Sequence, residues 1–88
     1  MPTTKSAYKR MRQSRERNLR NRHYRSKVKT ATRRFYRQLE SEPEAAPEAL
    51  RLATRELDRA ASKGAIHRNK ARRSKARLAR DLTERQEG

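Results

Sequence analysis

The chain has 88 residues, of which 26 are Lys or Arg and 10 are Asp or Glu, leaving a net charge of +16. Charged side chains make up 41% of it and hydrophobic letters 31%, but 12 of those letters are Ala, and Leu, Ile, Val and Phe together number 10. One small helical unit is the most this composition supports. Larger folds, membrane spans of about 18 apolar residues and a signal-peptide core are excluded on the same count.

The charge falls in three blocks. Residues 1–39 carry 14 bases against Glu16 alone, residues 40–58 are net acidic at −4, and residues 59–88 carry ten bases against Asp81, Glu84 and Glu87. Two basic arms therefore flank a short acidic joint. A chain so charged and so poor in large apolar groups repels itself, and a polyanion is the partner that relieves the repulsion.

In chain order, Pro2 precedes a cap at Thr3 or Thr4, and a first helix is expected over about 5–40. Its residues are mostly good helix formers. At 100° per residue, Tyr24, Val28, Ala31, Phe35 and Leu39 share a stripe about 80° wide. The same stripe continued upstream meets Asn21, Arg20, Arg17, Gln13 and Arg10. Only the C-terminal half of this helix can face a core, so the other half projects as a basic rod.

Ser41-Glu42-Pro43-Glu44 has the form of a capping box. Pro47 disfavours helix at Ala46, however. The expectation is therefore a linker over 41–46, with room for one turn, and a second helix over about 47–63 with Pro47 at its first position. Gly64 suits the left-handed residue that stops it. A third helix follows over about 67–85. Leu50, Ala53, Leu57, Ala60 and Ala61 share one face of the second helix, with Arg51, Arg55 and Arg59 on another. Ala71, Leu78 and Leu82 align on the third, opposite Arg73, Arg77 and Arg80. The expected fold is all-α, a three-helix bundle with a long, projecting, basic N-terminal helix and a single domain over 1–88.

The chemistry of these residues points to phosphate. Arg outnumbers Lys 19 to 7, and the guanidinium fork matches paired phosphate oxygens. A solvated helix face normally interleaves acids at i,i+4, yet residues 5–39 offer only Glu16. Ser6, Gln13, Ser14, Asn18 and Asn21 can reach phosphates or 2′-hydroxyls between the arginines. Tyr24 and Phe35 read as core, whereas Tyr36 and Tyr8 lie off the stripe and are candidates to stack on bases. His23 and His67 have no companion ligands at metal spacing, and His67 reads as a packed or capping residue. Glu40, Glu42, Glu44 and Glu48 read as a solvated linker rather than a Mg²⁺ site. With no Cys, no nucleotide-binding loop and no nucleophile–base constellation, neither an enzyme nor a cofactor is expected.

The run Lys63-Gly64-Ala65-Ile66-His67-Arg68-Asn69-Lys70-Ala71-Arg72-Arg73-Ser74-Lys75-Ala76-Arg77-Leu78 resembles the hallmark of the family of bacterial small-subunit ribosomal protein twenty. That pattern reads K-G-x-I-H-x-N-K-A-x-R-x-K-[SA]-x-L, and each fixed position is met. Lys5-Ser6-Ala7, Lys9-Arg10, Arg20-Asn21-Arg22 and Lys27-Val28-Lys29-Thr30 are similar to that family too. Thr3-Thr4 stands where it usually has Asn-Ile, and the 41–47 linker is richer in Pro and Glu. The resemblance implies a long helix and two shorter ones set against 16S ribosomal RNA, helping to organise the small subunit during assembly. It also implies a cytoplasmic, ribosomal location among other 30S components, with no membrane, small-molecule substrate or homo-oligomer.

Charge pattern and resemblance together nominate RNA-binding residues in three groups. On the rod these are Lys5, Ser6, Lys9, Arg10, Arg12, Ser14, Arg17, Arg20, Asn21 and Arg22. Lower on the first helix they are Arg25, Lys27, Lys29, Arg33 and Arg34. The remainder are Arg55, Arg59, Lys63, His67, Asn69, Lys70, Arg73, Lys75 and Arg77. The rival reading is a bacterial histone-like DNA-compacting protein, which charge and helicity suit equally. Such a protein would carry Lys-Ala-Pro repeats or a dimerisation surface, and neither is visible. A membrane-active amphipathic helix needs a broad apolar face that residues 5–22 lack.

Overall fold

The computed structural model describes residues 4–87. Three helices account for nearly all of them: α1 over Lys5–Ser41, α2 over Ala46–Ser62 and α3 over Arg68–Glu87, with one 3-10 turn at Pro43–Ala45. Pro2, Thr3 and Gly88 lie outside the described residues.

Local chemistry sets the helix ends. Thr4 caps α1, its Oγ1 accepting from the Ala7 N–H at 3.2 Å. At the other end Ser41 does not open a capping box. It is the last residue of α1, and its hydroxyl donates to the Arg37 carbonyl at 2.9 Å. The joint is therefore shorter than expected, and α2 begins at Ala46 with Pro47 in its first turn. Ala46 is helical (φ −62°, ψ −40°) in spite of the following proline. Its side chain is fully buried, and packing outweighs the mild steric bias of the X-Pro step.

Gly64 closes α2 with φ +75°. The Ala65 N–H bonds to the Ala60 carbonyl at 2.8 Å and the Gly64 N–H to Ala61 at 3.0 Å, the paired bonds of a Schellman stop. Three residues later His67 caps α3, which starts at Arg68. Its carbonyl accepts from the Ala71 N–H and its Nδ1 from the Asn69 N–H, both at 3.1 Å.

α2 packs along the lower half of α1 on one side and along α3 on the other. The core joins Phe35 and Leu39 to Ala46, Ala49, Ala53 and Leu57, with Ala71 and Leu78 from α3. Phe35 and Leu57 are the largest fully buried side chains. Alanine supplies most of the α2 contact, and small side chains let helix axes approach closely. Val28, Ala31, Leu50, Ala61, Ile66 and Leu82 close the margins. Residues 8–20, by contrast, are all exposed. The molecule measures 62 × 22 × 17 Å with a radius of gyration of 17.4 Å, against about 12 Å for a compact chain of this length. The excess is the bare rod.

Leu57→Ala or Leu78→Ala should destabilise the free protein by about 2–5 kcal/mol, whereas Leu19→Ala, 58% exposed, should change it by no more than about 0.5 kcal/mol. Urea unfolding of the three variants checks this. A Cβ at Gly64 meets nothing within 4 Å, so Gly64→Ala should cost only the left-handed backbone penalty of about 1–2 kcal/mol, and Gly64→Asn less.

Candidate nucleic-acid interface

The rod holds its cations in water. Lys5, Lys9, Arg10, Arg12, Arg17, Arg20 and Arg22 are exposed, as are Ser6 and Ser14. Among the described residues the ion pairs are Arg51–Glu48, Arg59–Glu56 and Lys75–Asp58, and none involves α1. No α1 cation is thus neutralised by an ion pair among the described residues. Asn21 is half-buried, and its Oδ1 has no donor.

Lower on α1 the helices gather groups that lie far apart in sequence. Arg25 and Lys29 meet Lys70 and Ser74 of α3 around a depression of about 150 Å³ whose apolar lining is Val28, Leu57 and Ile66. On the other flank Lys27 and Arg34, with His23, Ser26 and Thr30, line a groove against α2 that contains Glu56. One oxygen of Glu56, Oε2, is buried without a partner. Arg33 stands exposed beside Arg34 and Arg37. Ser26, Thr30, Arg37 and Ser74 were not singled out from the sequence. Ser26 and Thr30 follow His23 and Lys27 at helical spacing, which is the signal they carried.

The hallmark segment divides between two roles. Gly64 stops α2, Ala65 and Ile66 turn inward, and His67 caps α3. Lys63, His67, Asn69, Lys70, Arg73 and Arg77 are exposed, as is Arg55 on α2. His67 is solvent-facing, but its Nδ1 is committed to the Asn69 N–H. Lys75 donates to Asp58 Oδ1 at 2.7 Å, tying α3 to α2. Arg59 lies 4.0 Å from Glu56. These last two cations reach another anion only by exchanging their present partners.

Tyr36 is not a free stacking ring. It meets Phe35 edge-on, with centroids 5.1 Å apart, and its hydroxyl donates to Asp81 Oδ2 of α3 at 2.5 Å. Burial, that hydrogen bond and the Asp81 charge, in that order, push its phenol up to about 12 from an ordinary 10.0, with Arg77 and Arg80 pulling the other way. The reason is tertiary: α3 runs beside the lower half of α1, and its Asp81 end covers a second face there. Tyr8 is 56% exposed, and Tyr24 is half-buried beside His23. In the acidic joint Glu42 and Glu44 are exposed. No group of metal-ligating side chains occurs among the described residues, and none of their helices is long and apolar enough to cross a membrane. Glu48 is held below the usual carboxylate range by its hydrogen bonds from Arg51, which occupies that arginine.

The family pattern described as Ribosomal protein S20 matches residues 2–83. The chain belongs to this family. A small ribosomal subunit protein bS20 from Natranaerobius thermophilus is 49% identical over 79 residues, covering 89% of this chain and 90% of the relative. Its counterpart in Carboxydothermus hydrogenoformans is 51% identical over 78 residues, covering 88% and 84%. That of an Exiguobacterium species is 49% identical over 80 residues, covering 90% and 93%. The family is one of ribosomal structure, not of catalysis.

The Tyr36–Asp81 link gives the helical unit an alkaline limit. Its raised phenol stabilises the fold fully below pH 10 or so, and that contribution drains away as pH climbs towards about 12. Tyr36→Phe should cost about 1 kcal/mol at neutral pH. The stability gap between the two proteins, followed by denaturant unfolding, should close above pH 10. A gap that persists unchanged to pH 12 would show that the hydroxyl is not in this bond.

Proposed function

We propose that the chain is a structural component of the small ribosomal subunit that binds 16S ribosomal RNA directly and stabilises its folded body during assembly. The whole chain acts as one RNA-binding unit in the cytoplasm, as a monomer, beside other components of the 30S particle. Membership of the Ribosomal protein S20 family supports the ribosomal part of this reading. The observation that carries the direct RNA contact is the unneutralised row of α1 cations on a rod with no core of its own.

The mechanism is electrostatic first. Arg and Lys on α1 replace counterions condensed on the RNA backbone, and the released ions drive association. Arg25, Lys29 and Lys70 grip where α1 and α3 converge, and Lys63, Asn69, Arg73 and Arg77 extend the contact along α3. Arg55 and Arg59 offer phosphate contacts on α2. Such contacts fix position without reading sequence. Specificity comes from shape: a rigid unit and a rod at a set angle fit only RNA segments that converge at the same angle.

The rod also couples folding to binding. About 16 residues without tertiary contact form a marginal helix in water, and like charges along them weaken it further. Phosphates remove that repulsion and order the segment. Binding to a 16S fragment should therefore show a log-affinity against log-salt slope of roughly −4 to −9, as expected for about six to ten phosphates. Amide exchange at residues 5–20 should be fast in the free protein and strongly slowed on that fragment, with straight duplex DNA of equal charge protecting weakly. A slope shallower than about −2 would remove the phosphate account, and equal protection by DNA would favour a DNA-compacting role.

A further inference from the structure

The rod is not uniformly basic around its circumference. Tyr8, Met11 and Leu19 stand 56%, 51% and 58% exposed, the large hydrophobic side chains that the fold leaves in water. At 100° per residue they fall with Ala7 and Asn18 in an arc about 120° wide, its centre roughly 140° round α1 from the stripe that packs on α2. Ala7, Met11, Asn18 and Leu19, with flanking arginines, line a shallow depression of about 760 Å³. Arg15 and Arg22 interleave with the apolar groups, and the other rod cations lie outside the arc. Followed down the helix, the arc continues through Arg25 and Lys29 into the depression shared with Lys70 of α3.

An occupant of this face needs apolar surface against Met11 and Leu19 and negative charge within reach of Arg15, Arg22 and the cations at the margins. A second copy of the chain does not qualify, since it would bring +16 against +16. The shallow groove of A-form RNA does qualify. Ribose C–H surfaces and base edges form its floor, and phosphates run along both sides, while the opposite groove is too narrow for side chains. Tyr8 to Leu19 spans about 16 Å of helix axis, enough to lie along such a groove.

We propose that the Tyr8–Met11–Leu19 face of the rod seats in the shallow groove of an RNA duplex. Its apolar side chains press on sugar and base edges, while Arg15 and Arg22 within the arc and the cations that flank it take phosphates along the groove. The track then runs continuously down α1 to Lys70. This rests on the RNA-binding reading above and adds which face of the rod meets the RNA, and by what kind of contact.

Salt dependence separates apolar contact from phosphate contact. The double variant Met11→Ala, Leu19→Ala keeps the rod's charge and its helix propensity. It should bind a 16S fragment at least about tenfold more weakly than the natural chain at every salt concentration, with the same log–log slope. Arg15→Ala, the reference for a lost phosphate contact, should make the slope shallower by about one. Unchanged affinity in the double variant would overturn the proposal, as it would if this face served a protein instead. A loss of affinity accompanied by a shallower slope would overturn it as well. Failure of the natural chain to bind 16S RNA would strike the functional reading itself, so the two failures are told apart.

Discussion

Phe35 and Leu57 are the large side chains that solvent does not reach, and the seam they occupy between α1 and α2 positions everything else. α2 lies along the lower half of α1 because only there does α1 offer an apolar stripe. α3 lies on α2 because Ala71 and Leu78 extend the same core. The core is thin, built mostly of alanine, and it carries a chain of net charge +16. That balance explains the shape. The helices stay together where apolar contact outweighs repulsion, and above Asn21 no such contact exists.

The segment from Lys63 to Leu78 shows how one run of residues serves both the fold and the surface. A left-handed glycine, two inward apolar residues and a capping histidine turn the chain between α2 and α3 in five residues. Beyond the turn, Ala71 and Leu78 pack α3 into the core, which brings Lys70 to Arg25 and Lys29. Lys75 and Asp58 pin the two helices a turn further on, although their side chains are 37% and 56% exposed, so solvent screens the pair and geometry is its main contribution.

The rod stores what the core cannot supply. Among the described residues its cations have no ion-pair partners and residues 8–20 have no packing face, so on the proposed reading an external polyanion is what stabilises its order. A ligand that neutralises without fitting gains charge contact but leaves the ordering entropy unrecovered. A ligand with converging backbones gains both. On the proposed reading, discrimination by shape follows from poverty of core as much as from abundance of arginine.

Much of this was legible in the sequence, because helical periodicity is a local property. The stripe from Tyr24 to Leu39, the Ala-Leu face of α2, the stop at Gly64 and the bare basic half of α1 all follow from residue type and 3.6-residue spacing. What depends on how one helix lies against another was decided only by the tertiary structure. Tyr36 looked free on a helical wheel, yet Asp81, 45 residues away, holds its hydroxyl. Lys75 looked available, yet Asp58 takes it. Ser41 looked like the first residue of the linker, yet it closes α1, and the buried Ala46, expected as the linker's last, already belongs to α2. The gathering of Arg25, Lys29 and Lys70 likewise needed the packing of α3 into the shared core. Periodicity tells which face of a helix is apolar, whereas angle and register between helices arise from side-chain packing that no single segment encodes.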